Sequence, residues 1–362
     1  MNLQLAFKIL IWLLGGGFLL ASCFPRRKMR VLGKTRERWS LSAALLLLIP
    51  LTYWCAMRST AYGDTEFYRM SFNQAPTSVW EIPAYMNAQP KDAGFYGFSA
   101  LLKCLFGGNF RVYFFLLAAI QIVCVAMVYR KYSRNYWLSI FLFVASTDYT
   151  SWMYNGTRQF MAVVIIFAAL PLLLKKRYLW TAVLILFASV FHQSALLMLP
   201  VIFLVQGKAW NKKTNLVLLG VLLAVLFVGE FTNFLDTLME DTQYENVVSD
   251  WQTSGDDGTN LLRVLVYAVP TILAFVYRRV LQESRNPLIN LCVNMSIIST
   301  GIYVLSMFTS GIFIGRLPIY MSLYLYILLP WEIRHFFPRK WQFPITTAAC
   351  TLYTLFYFYS YL

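Results

Sequence analysis

Charge is scarce in this sequence. Of its 362 residues only 13% are Asp, Glu, Lys or Arg while 59% are hydrophobic, against roughly 25% charged in a soluble domain. That deficit excludes a single water-soluble core. Histidine is scarcer still: His192 and His335 are the only two. No histidine cluster or HExxH helix exists, so a zinc site is not expected. The six cysteines (Cys23, Cys55, Cys104, Cys124, Cys292 and Cys350) include no CxxC pair. They read as small buried hydrophobes rather than metal ligands or a disulfide framework. The first apolar run has no charged region before it and no small-residue cleavage site. Residues 3–22 therefore read as a membrane helix, not a signal peptide.

What the chain has in quantity is apolar runs near the ~20 residues that cross a bilayer. We mark spans at about 3–22, 39–57, 110–129, 136–150, 159–174, 178–191, 193–206, 214–229, 261–277, 288–307, 317–333 and 342–362. The fold class is thus an all-α polytopic membrane protein with about 12 transmembrane helices, read as one integral membrane domain over 1–362. Residues 94–107 suit a further short or re-entrant helix.

The net charge of +15 would suggest nucleic acid in a soluble protein, but its distribution gives topology instead. The connections 25–38, 130–134, 175–177, 208–213, 278–285 and 334–340 hold 22 of the 31 Lys and Arg, with only Glu37, Glu283 and nearby Glu332 among the acids. By the positive-inside rule these loops are cytoplasmic. Residues 58–109 and 230–260 become extracytoplasmic loops, and 230–260 has eight acids and no Lys or Arg. No nucleic-acid partner is implied; the surroundings are the lipid bilayer.

Between Lys175-Lys176-Arg177 and Lys208 lie about thirty residues, too few for two full spans. Two short helices meeting near His192 account for them most simply. Thirteen helical residues reach about 20 Å, short of the ~30 Å hydrocarbon core, so His192 would sit below the surface in a protein-lined cavity. One long tilted helix is the alternative.

Basic residues on the other side of the membrane need reasons. Lys8, Lys103 and Arg111 lie on or beside apolar segments, where snorkelling suffices. Arg158 (in Tyr154-Asn155-Gly156-Thr157-Arg158-Gln159) and Arg316 (in Gly315-Arg316-Leu317-Pro318) stand at outer helix starts. Charges at membrane depth are costly and tend to be functional, and guanidinium binds phosphate bidentately. Together they suggest a clamp for a phosphate or pyrophosphate headgroup, with Gln159 beside it and Arg58 as a third cation. The competing account pairs each Arg with an acid such as Asp148 or Asp64. Asp64 and Glu66, two residues apart after the second span, suit a base or a divalent cation; Gly63-Asp64 is also ordinary turn chemistry. His192 can accept a proton near neutral pH. Tyr62, Tyr68, Trp80 and Trp152 are among the aromatics that suit either a sugar groove or the interfacial belt.

In chain order these motifs bring together Tyr62-Gly63-Asp64-Thr65-x-x-Tyr68, then Gly156-Thr157-Arg158-Gln159, then Ala188-Ser189-Val190-Phe191-His192-Gln193-Ser194-Ala195-Leu196, and more loosely Gly315-Arg316-Leu317. The sequence over about 58–320 resembles the EpsG family, Wzy-like bacterial polymerases of exopolysaccharide and capsule. The resemblance implies a GT-C-like glycosyltransferase in the cytoplasmic membrane with its active site outside. Such an enzyme joins undecaprenyl-pyrophosphate-linked oligosaccharide repeat units, beside a flippase and a chain-length regulator. Arg158, Arg316 and Arg58 would then hold the donor pyrophosphate, and His192 or Asp64 would take the acceptor proton, with Glu66 alongside. No cofactor is expected, a cation at Asp64 and Glu66 being the exception; the lack of a Gly-rich nucleotide loop suits a lipid-linked donor. The rival readings are a lipid-linked oligosaccharide flippase or transporter and a membrane O-acyltransferase. A transporter would be expected to show an internal repeat and mid-membrane charges, and an acyltransferase would need its His turned toward a cytoplasmic thioester.

Overall fold

The computed structural model describes residues 3–238 and 255–360. Helices dominate the described residues, with one two-stranded ribbon between them. The chain gathers into two compact units: residues up to Leu199 together with those from Phe343, and residues Pro200–Gln342.

The first unit opens with α1 (Leu3–Cys23), which passes through a π-turn at Trp12–Gly16. A tight antiparallel ribbon follows, β1 (Arg27–Val31) with β2 (Lys34–Arg38). Next come α2 (Leu41–Ala56), α3 (Thr65–Gln74), α4 (Ile82–Asn87), α5 (Ala93–Phe106) and α6 (Phe110–Tyr132). The stretch 58–109, expected as an extracytoplasmic loop, is therefore largely helical, and α5 is the short helix expected at 94–107. Then come α7 (Tyr136–Ala145), α8 (Thr157–Leu174), α9 (Tyr178–Ser189) and α10 (Gln193–Leu204), whose first turn, Gln193–Leu197, is 3-10.

Helices α9 and α10 meet at His192, which has extended backbone (φ −160°, ψ 120°). The pair of short helices expected there is what the chain adopts. The twelve residues of α9 rise only about 18 Å.

Among the described residues four helices, α1, α6, α8 and a later one at Pro287–Met307, are individually long and apolar enough to cross a membrane. Counting two bent pairs brings the number to six, where the sequence suggested about twelve. Polar caps set where some of the apolar helices begin. Ser40 accepts from the Ala43 N–H and starts α2, and Asn135 accepts from the Leu138 N–H and starts α7. The run at 136–150 gives a ten-residue helix, because Thr147 turns the chain with φ +73°.

Helices α2 and α6 lie antiparallel and are tied at both ends. At one end the Arg111 guanidinium donates to the carbonyls of Ala56 (3.2 Å) and Arg58 (2.7 Å). At the other, Arg130 donates to Trp39 O (2.9 Å) and Arg38 to Lys131 O (3.0 Å). Arg111 is thus a clasp rather than a snorkelling charge. So is Lys103, whose Nζ donates to Asn73 O (2.7 Å) and Ala75 O (2.6 Å) and closes the C-terminus of α3.

The second unit contains α11 (Lys212–Leu226), α12 (Val228–Leu238), α13 (Leu261–Val276), α14 (Arg278–Ser284), α15 (Pro287–Met307) and α16 (Leu325–Phe336). Helix α15 is its centre: most of its residues are buried, and it packs against α11, α13 and α16. Helix α17 (Arg339–Tyr359) carries the chain back to the first unit. Most of the acidic stretch expected as a loop at 230–260 lies outside the described residues.

Candidate functional site

Three sequence motifs far apart in the first unit meet in space. Gly63 adopts φ +50°, and a Cβ there would come within 2.3 Å of Asn155 Oδ1, so both the conformation and the space call for glycine. That close approach lets the Asp64 N–H donate to Asn155 Oδ1 at 2.8 Å. The segment Tyr62–Thr65 is thereby fixed to Tyr154–Thr157 at the start of α8. Tyr62 and Tyr154 complete the junction edge to face, with centroids 5.5 Å apart.

The third motif joins through Asp92. This residue stands before α5 in the left-handed region (φ 54°) and sends its carboxylate in two directions. Arg158 Nη1 lies 3.0 Å from Asp92 Oδ2, and the backbone N–H of Gln193 donates to the same carboxylate. The Gly94 N–H also donates to Val190 O at 3.0 Å. The break around His192 is therefore held beside the head of α8. Burial raises the Asp92 pKa above the ordinary carboxylate range, with Arg158 and Lys91 opposing. Arg158 also lies over the rings of Phe67 and Tyr96 (5.5 and 5.9 Å) and donates to the hydroxyls of Tyr96 (3.4 Å) and Tyr68. The sequence considered Asp148 or Asp64 as the acid paired with Arg158; the structure supplies Asp92, one of the residues sequence reasoning passed over. Nothing in its local pattern separates it from a solvated loop acid.

Arg58 is the buried cation with an unpartnered nitrogen among the described residues. It is 3% exposed. Its Nε donates to Thr65 Oγ1 (3.0 Å), its Nη1 to Cys55 O (3.1 Å), and its guanidinium lies 4.1 Å from the Phe114 centroid. Nη2 is buried with no hydrogen-bond partner, and among the described residues no carboxylate forms an ion pair with it. Aromatic faces stabilise a desolvated guanidinium by about 2 kcal/mol, less than the several kcal/mol that desolvating an ion costs. Arg58 lines a cavity of about 310 Å³ with Tyr62, Tyr154, Ser59, Ala61, Met57 and Leu5.

The other sequence candidates fall as follows. Asp64 is exposed at the start of α3, with no capping hydrogen bond from its side chain. Glu66 is ion-paired with Arg69, which holds its carboxyl below the ordinary range. His192 is half-buried, and its Nδ1 lies 2.7 Å from Ser194 Oγ. Gln159 is buried inside α8. Among the aromatics, Trp80 is 89% exposed and Tyr62 borders the cavity. Tyr68 and Trp152 are buried, Trp152 donating to Asp148 Oδ1 (3.2 Å), and neither presents an open face to a sugar.

Comparison with known families decides the relationship: a family model, the EpsG family, matches residues 43–362. The chain belongs to the EpsG family. No curated protein and no solved structure matches it. Membership makes this EpsG-family chain a Wzy-like exopolysaccharide polymerase of the membrane.

Arg316, in the loosest of the four motifs, lies in the second unit and is exposed on a 3-10 turn, Ile314–Arg316. A buried carboxylate that sequence reasoning missed organises its loop. Asp256 Oδ1 accepts from the N–H groups of Gly258 and Gly311 (both 3.0 Å), and Oδ2 from the Ile312 N–H (2.9 Å) and Ser310 Oγ (2.7 Å). Burial pushes its pKa up, but these four donors outweigh burial and hold it below the ordinary value.

Proposed function

We propose that this protein joins undecaprenyl-pyrophosphate-linked oligosaccharide repeat units at the outer face of the bacterial cytoplasmic membrane, using about twelve helices or half-helices in a GT-C-like arrangement. The observation that carries the reading is Arg58: a buried guanidinium with an unpartnered nitrogen, beside a cavity, and with no ion pair among the described residues. A pyrophosphate supplies the missing charge and acceptors. Arg58 thus moves from the third cation of the clamp to its centre, while Arg158, already paired with Asp92, orients the neighbouring wall. Arg316 keeps its role as a proposed anion ligand of its own loop.

In the transfer, an acceptor hydroxyl oxygen bonds to the anomeric carbon of the donor. The bond from that carbon to the pyrophosphate oxygen breaks, and undecaprenyl pyrophosphate leaves with the electron pair. Arg58 stabilises the charge gathering on the leaving group. The hydroxyl proton goes to His192 or Asp64. The hydrogen bond to Ser194 orients the imidazole, and Asp92 fixes the backbone beside it. Exposed Trp80 and cavity-lining Tyr62 offer ring faces to sugar.

The test uses purified protein in liposomes with a polyprenyl-pyrophosphate-linked oligosaccharide, following polymer and released polyprenyl pyrophosphate together. Polymerisation predicts one pyrophosphate carrier released per linkage formed. Movement of intact lipid-linked units across the bilayer with no carrier released identifies a transporter instead.

A further inference from the structure

The ribbon β1–β2 lies before the residues that match the family, and the polymerase reading makes no use of it. Over residues 26–38 it carries Arg26, Arg27, Lys28, Arg30, Lys34, Arg36 and Arg38 against one acid, Glu37. All but Arg38 are exposed, and no ion pair among the described residues involves any of them. The register places Arg27 directly opposite Arg38; like charges facing across a ribbon repel. Arg134, Arg36 and Arg26 add to burial in lowering the Arg38 pKa to about 10. The ribbon therefore holds together against its own charge.

Its tip is also unusual. The two-residue turn is Leu32-Gly33, with φ of 49° and 77°. Such turns favour Asn-Gly, and a bulky residue rarely takes positive φ. Here a leucine occupies that position and is 46% exposed. An apolar tip ringed by cations is the pattern of a surface that enters the headgroup layer of a membrane. The ribbon's place fits: it joins two apolar helices, α1 and α2, and is tied through Arg38 to the end of α6 opposite Arg58.

We propose that the β1–β2 ribbon is a binding site for anionic phospholipid, its cations gripping the phosphodiester headgroups and Leu32 entering the acyl boundary beneath them. One observation speaks to specificity: the cations cover both faces. Arg27, Lys34 and Arg36 alternate with Lys28 and Arg30 along the pleat, so more than one headgroup is engaged.

The test is native mass spectrometry of the full-length protein extracted from phosphatidylcholine nanodiscs containing phosphatidylglycerol, counting retained phosphatidylglycerol. Neutralising four ribbon cations together (Arg27→Gln, Lys28→Gln, Arg30→Gln, Arg36→Gln) should lower retention at least about tenfold. Removing four charges elsewhere (Lys208→Gln, Lys212→Gln, Arg278→Gln, Arg279→Gln) should leave most of it. Leu32→Asn improves the turn and removes the apolar tip; it should cut retention about threefold, with thermal stability kept or raised. Equal losses from the two quadruple variants, or unchanged retention in the ribbon variants, overturn the proposal. Full displacement of the lipid by millimolar inorganic phosphate would also overturn it, by showing a site for free anions.

Discussion

At the residue scale, the separation of Arg58 from Arg158 gives opposite expectations for their partners. Among the described residues Arg58 has no ion pair and an unpartnered nitrogen, so Arg58→Ala should reduce polymer by about a hundredfold or more, the range for losing one anion-stabilising group. Arg58→Lys should rescue little, because an ammonium lacks the planar fork; the readout is polymer per cell at matched membrane levels of protein. Asp92 provides a pH prediction. Its folded pKa lies above the ordinary value, so it favours the fold when protonated, and that contribution is lost as pH rises from about 4 through the raised value. Asp92→Asn should therefore match the wild type in Tm near pH 4 and gain on it toward pH 7. A gain that instead grows on acidification would contradict the burial argument. Glu66 runs the other way: Arg69 depresses its pKa, so its contribution is present above the ordinary pKa and fades as pH falls through the lowered one.

At the scale of elements, the site depends on backbone contacts between motifs. Gly63→Ala would place a methyl group 2.3 Å from Asn155 Oδ1 in a left-handed conformation, a strain of about 1–3 kcal/mol. We expect it to abolish polymer while the protein still inserts, and Asn155→Ala to lose activity through the same junction. In the second unit, Asp256→Ala leaves four donors unmatched around the Arg316 loop. Polymer yield should fall with it as far as in Arg316→Ala, and the double variant should lose no more than either alone. A fully additive double variant would separate the two residues. Much of this level was legible beforehand. Short spacing between basic loops implied the α9–α10 break, and Arg158 and His192 stood out as misplaced charge and lone imidazole. The ion pair with Asp92 was not legible, because it joins residues 66 positions apart through an unremarkable loop acid. The ribbon escaped notice because a run of cations reads as a solvated loop; only the Leu32-Gly33 turn shows the pairing.

At the scale of the whole molecule, hydropathy fixed the class, all-helical and membranous, but not the partition into helices. The Thr147 turn ends a helix inside the apolar run at 136–150, and helices such as Leu41–Ala56 and Tyr136–Ala145 are shorter than a bilayer crossing needs. Composition could not show that Arg58 lies under aromatic rings while Glu66 is occupied by Arg69; both depend on how α2, α3 and α6 pack. The basic ribbon and Arg58 sit at opposite ends of the α2–α6 pair.

Polymerisation at an outward site can be read in living cells. Cells producing either the wild-type protein or Arg58→Ala would be given a labelled sugar, and lipid-linked repeat units followed with a membrane-impermeant probe. The variant should make at least about a hundredfold less polymer and accumulate single units accessible to the probe. Units trapped inside, out of the probe's reach, would contradict outward polymerisation and make this protein a transporter.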